Sequence, residues 1–234
     1  MDNEAYPSGR INRLLQPFGL VLLGSLPVTD GDGMTDLDDG APVRGLLLIG
    51  NGGSSLWPVF SRSAEFADGR PDPLDRWSAR VGTELAATLG GRAIFPFEGP
   101  PFAPFLGWAE RTGTAVSSRL SLFMHRHFGL WHAYRFALAV PESPGWLPDG
   151  ADFESPCLQC VDQPCLAACP VSAFSGPSYR PDLCLDYLAR DDKSACRQLG
   201  CASRRACPVG KAFTYLPGQA KFHMDAFVKS RFRG

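Results

Sequence analysis

The stretch CLQCVDQPCLAACP, residues 157–170, decides how this chain is read. It holds Cys157, Cys160, Cys165 and Cys169, with Pro170 closing the run. The short gap between Cys157 and Cys160 lets both grip one iron–sulfur cubane. Gln163–Pro164 sets a turn ahead of Cys165, and Cys169 stands one helical turn further on. In cysteine runs that serve two clusters, the cysteine before the proline ligates the other cluster.

The other four cysteines, Cys184, Cys196, Cys201 and Cys207, follow within forty residues, and Cys207–Pro208 repeats the Cys-Pro ending. This echo marks a duplicated, ferredoxin-type cluster module. By that logic Cys157, Cys160, Cys165 and Cys207 hold a first [4Fe–4S] cluster, and Cys169, Cys184, Cys196 and Cys201 a second. The spacing within the second group is irregular, which leaves open a single cluster with some later cysteines buried as small apolar groups. Structural zinc also uses a CxxC knuckle, but usually two of them or one with histidines, and there is no second CxxC here. A disulfide framework needs an oxidising compartment. The opening MDNEAYPSGR has neither a basic nor an apolar signal region, so the expectation is a cytoplasmic protein with intact thiols.

The chain has 234 residues, 44% of them hydrophobic, and a net charge of −1. That is enough apolar material for a core and gives no global attraction to nucleic acid or anionic lipid. No apolar run approaches the roughly 20 residues of a membrane span. Charge is uneven: residues 201–234 carry seven Lys/Arg against one Asp, a local net of +6. Nucleic acid is therefore an unfavoured partner that the basic tail still allows. The expected partner is a redox protein or a small-molecule substrate, with no membrane. Lys193, Arg197, Arg204, Arg205 and Lys211 surround the second cysteine group, where cations would favour a reduced cluster.

All eight cysteines lie between Cys157 and Cys207. The Pro/Gly-rich stretch PESPGWLPDGADFESP, 141–156, reads as a link between modules. The expected domains are an α/β cofactor- or substrate-binding domain over 1–145, a ferredoxin-type 4Fe–4S domain over 150–215 and a basic tail over 216–234. Upstream, the patterning predicts strands at Leu20–Leu26, Gly45–Ile49, Ala93–Phe97, Leu120–His125 and Trp131–Val140. It predicts helices at Ile11–Gln16, Leu56–Phe66, Leu74–Leu89 and Phe105–Arg111. Strands separated by helices favour one mixed sheet covered by helices. TDGDGMTDLDDG, 29–40, fails the calcium-loop template and reads as a flexible acidic loop. GNGGSS, 50–55, reads as a strand-to-helix turn.

Two features suggest chemistry beside the clusters. Glu98 lies between a strand and a Gly-Pro-Pro turn, where a carboxylate can donate a proton. HRHFGLWHAYR, 125–135, concentrates three histidines, three aromatic residues and two arginines. His125 and His127 would share a strand face by alternation, with His132 close by, as candidate cofactor-binding residues.

Residues 111–140, RTGTAVSSRLSLFMHRHFGLWHAYRFALAV, preceded by Ala109–Glu110, resemble a segment of the epoxyqueuosine reductases. So do Cys184–Tyr187 (CLDY), Gly200–Cys201 and the final Cys207–Pro208. The resemblance implies an α+β fold: a nitroreductase-like mixed α/β domain carrying cobalamin, followed by a ferredoxin-like iron–sulfur module feeding it single electrons. Flavin is the alternative that the general fold class allows. In that family's knuckle a cysteine stands where this chain has Arg204, and Cys196 takes the missing ligand's place. The family's catalytic aspartate has no match, Glu98 being the nearest carboxylate. Nothing here matches the family's tRNA-binding repeats, so that substrate is not implied. The resulting expectation is an iron–sulfur oxidoreductase. A ferredoxin-like electron carrier, with the upstream domain used only for docking, is the alternative.

Overall fold

The computed structural model describes residues 8–144, 153–174 and 178–230. Residues 145–152 of the Pro/Gly-rich link and the last four residues of the basic tail lie outside them. The chain is α+β and divides into two compact units, Met1–Ala115 with His132–Phe153, and Val116–Trp131 with Glu154–Gly234. Among the described residues no helix is long and apolar enough to cross a membrane.

The first unit contains a four-stranded sheet in the order β1-β2-β6-β3. Its strands are β1 (Val21–Pro27), β2 (Gly45–Gly52), β3 (Arg92–Ile94) and β6 (His132–Val140). Every residue of β2 is buried, as the unbroken run GLLLIGNG requires of a strand covered on both faces. Helix α1 (Ser8–Leu15) packs on β1, and α4 (Pro73–Thr88) packs on β3 and β6. The buried residues of α4, Leu74, Trp77, Val81 and Leu85, recur at helical spacing. Gly82 allows this contact, because a Cβ there would stand 2.8 Å from the ring of Phe95.

The expected mixed sheet is corrected: each neighbouring pair is antiparallel. Strands β2 and β3, joined through α2 (Trp57–Phe60), α3 (Ala64–Ala67) and α4, do run the same way. But β6, arriving later in the chain, inserts between them. The helix expected over 56–66 is two short ones, because Ser63 starts a new helix by accepting the Phe66 N–H at 3.2 Å. GNGGSS does not turn after Ile49: Gly50, Asn51 and Gly52 stay paired with β6.

The acidic loop after β1 is tied down. Asp32 accepts from the Thr29 N–H at 2.8 Å, the Thr29 hydroxyl at 2.9 Å, Trp108 Nε1 at 2.9 Å and Arg111 Nη1 at 2.5 Å. Trp108 and Arg111 lie on α5 (Phe105–Arg111), so this carboxylate fastens the loop to that helix. Burial opposes its ionisation, yet the bonds from Arg111, Thr29 and Trp108 prevail and hold its pKa at about 2.

The second unit carries a two-stranded sheet, β4 (Ala115–Ser117) with β5 (Phe123–His125), and, among the described residues, five α-helices. These are α6 (Pro164–Ala167), α7 (Pro181–Arg190), α8 (Ala195–Leu199), α9 (Ala202–Ala206) and α10 (Pro217–Ser230). The strand expected over 120–125 is shortened by a turn at Ser121, whose φ is +55°. Residues 217–230, read from sequence as part of a tail, form α10. Arg197 on α8 donates to Asp225 on α10 at 2.6 Å, and Lys221 donates to the other oxygen at 2.6 Å. The cores of this unit are small and built partly of cysteine. Leu120, Met124 and Leu130 pack with Cys165 and Cys207. Leu188 and Val228 pack with Cys196, beside Cys184.

Candidate metal centres

Helices α6 and α9 pack against each other, and each ends at a Cys-Pro pair. Gln163 takes a left-handed backbone (φ +41°), and Pro164 then opens α6 with its ring-fixed φ. Cys165 sits in the first turn of α6, and Cys169 lies just past its end. Cys201 precedes α9, and Cys207 follows it.

The four cysteines bracketing these helices are distributed crosswise. One cavity, of about 250 Å³, is walled by Cys157, Cys160, Cys165 and Cys207, with Met124 and Val209 beside them. A second, tighter cavity is walled by Cys169, Cys184, Cys196 and Cys201, with Phe174, Tyr187, Ser203 and Met224. The structure thus brings each sequence-assigned set of four thiols to one cavity. Cys169 stands apart from Cys165, four residues away, while Cys207 joins cysteines some forty residues upstream.

The electrostatics follow the same division. Burial raises the Cys165 thiol, and the nearby Cys207, Cys157 and Cys160 sulfurs raise it further. Burial pushes Cys184 up to about 11; a hydrogen bond from the Tyr179 hydroxyl opposes this, and Cys201, Cys169 and Cys196 add to the rise. Burial also raises Cys196 and Cys207. Against it work the Ala202 N–H and Arg205 at Cys196, and the Val209 N–H and Lys211 at Cys207. Thiols so placed keep their protons at neutral pH unless a metal displaces them.

Of the five basic residues read as surrounding the second group, Arg205 and Lys211 act on thiols, the latter in the first set. Arg197 is engaged by Asp225. Arg204 lies over the rings of Trp131 and Tyr215, its Cζ 4.5 Å from each centroid, while the two rings meet edge-on at 5.3 Å; both its Nε and Nη2 donate to Leu130 O.

The donor sets suit iron–sulfur clusters: four thiols to each cavity, largely apolar neighbours to which Arg119, Gln159 and Gln163 are added at the first, and N–H and O–H groups reaching sulfur. The Ala173 N–H donates to Cys169 Sγ at 3.2 Å. Among the described residues, no group of three or more Cys, His, Asp or Glu side chains is placed closely enough to hold a metal ion.

The remaining candidate residues are placed as follows. Glu98 is exposed in the turn after β3. His125 is buried, and its Nδ1 accepts from the N–H groups of His127 at 3.1 Å and Phe128 at 3.4 Å. Strand β5 ends at His125, so alternation does not reach His127. The latter is exposed in the turn, with its ring against Phe128 and Phe213. His132 belongs to the other unit, edge-on to Tyr134 at 5.3 Å. Sequence reasoning passed over Ser203 and Tyr179. The first falls between Cys201 and Cys207 and the second five residues before Cys184, a proximity that was the available signal.

No family model matches this chain, and no curated protein matches it. A solved structure similar to it is that of epoxyqueuosine reductase from Bacillus subtilis. It shares 14% identity, covers 89% of this chain and 67% of that one, and gives a TM-score of 0.46.

Proposed function

We propose that this protein is an iron–sulfur oxidoreductase with two [4Fe–4S] clusters. Cys157, Cys160, Cys165 and Cys207 hold the first, and Cys169, Cys184, Cys196 and Cys201 the second. The observation that carries this reading is the crosswise division of eight thiols into two sets of four around two cavities. A zinc ion draws its ligands onto one point; a cubane spaces them around a larger body, as thiols ringing a cavity are spaced. When bound, the clusters supply single-electron transfer. The chain's own part is to exclude water with Met124, Phe174 and Met224, and to direct N–H and O–H groups at sulfur. The electron acceptor would be a substrate or a second cofactor in the first unit. Cobalamin is favoured there by the sequence resemblance, with flavin next.

Anaerobic purification with iron and acid-labile sulfide analysis tests the clusters. About eight of each per chain is expected for two cubanes. Stoichiometric zinc without sulfide would overturn the reading. Titrating the loaded protein with cobalamin and with flavins tests the acceptor: tight binding of either supports the reductase, and binding of neither below high micromolar favours the electron carrier.

A further inference from the structure

The second cavity contains an oxygen that the ligand assignment leaves unused. Ser203 is 0% exposed, lines this cavity together with Cys169, Cys184, Cys196 and Cys201, and its Oγ has no hydrogen-bond partner. A buried hydroxyl left unpaired is costly and calls for an explanation.

The usual outlet for a helical serine is the carbonyl four residues back. Elsewhere in this chain that outlet is used: Ser78 donates to Leu74 O at 2.7 Å, and Thr88 to Glu84 O at 3.0 Å. Ser203 is the second residue of α9, a five-residue helix, so no carbonyl of its own helix lies four residues behind it. Besides the four cysteines, it shares its cavity with the apolar Pro170, Val171, Phe174, Ala202 and Met224 and with Tyr187. Sulfur is the acceptor this environment offers in quantity. Two other donors already address the same set, the Ala173 N–H at Cys169 and the Tyr179 hydroxyl at Cys184.

We propose that Ser203 is a positioning and tuning residue of the second site, its Oγ–H donating to a cysteinyl or inorganic sulfur of the cluster held there and raising that cluster's reduction potential. The proposal rests on the cluster reading above. A hydrogen bond to sulfur stabilises the reduced, more negative state over the oxidised one, which moves the potential upward. Ser203 lines the second cavity and not the first, so the effect should be confined to one site.

The test is an anaerobic dithionite titration of the fully loaded full-length protein, followed by electron paramagnetic resonance. Ser203→Ala should lower one of the two midpoints and leave the other unchanged. The expected size is about a tenfold change in the reduced-to-oxidised ratio at fixed potential, equivalent to 59 mV for one electron. Ser203→Thr, which keeps the hydroxyl, should restore the midpoint. Should the alanine variant fail to load, the near-isosteric pair Ser203→Thr and Ser203→Val makes the same comparison. Unchanged midpoints in a loaded variant lacking the hydroxyl, or equal shifts in both, overturn the proposal and leave the clusters standing. A wild-type protein without iron and sulfide instead overturns the reading on which it rests.

Discussion

Gly129 and Gly210 meet back to back, although 81 positions separate them in the chain. A Cβ on Gly129 would stand 2.6 Å from Val209 O, and one on Gly210 would stand 2.5 Å from Phe128 O. Both have left-handed backbones, with φ of +57° and +73°. This approach holds the turn after β5 against the loop that follows Cys207.

Gly129→Ala and Gly210→Ala should therefore each destabilise the second unit. The positive φ alone costs about 1–2 kcal/mol for an L-residue, and the backbone clash adds to it. Thermal melts should show the loss, and on the proposed cluster reading iron content should fall at the first site, to which Cys207 is assigned. Gly107→Ala, at a helical position with nothing within 4 Å, should leave stability equal or raise it by up to about 1 kcal/mol. An equal loss in all three variants would refute this account.

The crosswise thiol sets predict which variants pair. Cys207→Ser should alter the same spectral component as Cys160→Ser, and Cys169→Ser the same component as Cys184→Ser. Mössbauer spectra of the loaded variants distinguish the components. Pairing of Cys165 with Cys169, its neighbour in sequence, would contradict the arrangement.

Asp32 gives the first unit a defined acid limit. Its folded pKa is about 2, below the ordinary 3.8. A depressed carboxylate contributes stability that is complete above the ordinary value and is lost as pH falls from there through the folded value. The contribution should be about 1–2 kcal/mol, discounted because Arg111 is partly exposed. In urea titrations, Asp32→Asn should be less stable than wild type by a constant amount above about pH 5, and the gap should narrow towards pH 2. A gap independent of pH would show that the carboxylate's charge is not what matters.

Arg204→Lys should not be conservative. A lysine ammonium cannot reproduce the stack of a planar guanidinium over Trp131 and Tyr215 together with two bonds to Leu130 O. A loss of about 1–3 kcal/mol in chemical denaturation is expected. Near-UV circular dichroism should register the change around Trp131. Wild-type stability in the lysine variant would show the stack to be incidental.

Much of the first unit is legible in its pattern. The apolar spacing of 74–89 announces α4, and the run GLLLI announces a covered strand. What failed there depended on partners distant in sequence. The direction of the sheet was misread because nothing in the local β-α-β order shows that β6 will insert between β2 and β3. The loop at 29–40 was taken as flexible because its acidic residues look solvated. Beyond its local bonds from Thr29, only the arrival of Trp108 and Arg111, 76 and 79 positions after Asp32, ties that carboxylate to the rest of the unit.

The cysteines divide the same way between the two levels. Sequence by itself determined that the thiols are concentrated in residues 157–207, because thiol spacing and the repeated Cys-Pro ending are local properties. The spacing also groups the thiols into two sets of four, but the physical means is tertiary: α6 packs against α9, and a short helix carries residues at its two ends to different cavities. The same packing buried Ser203 among the sulfurs of the second set and left its hydroxyl without a carbonyl to accept it. Burial and hydrogen bonding depend on neighbours that the fold supplies, and no spacing rule along a chain contains them.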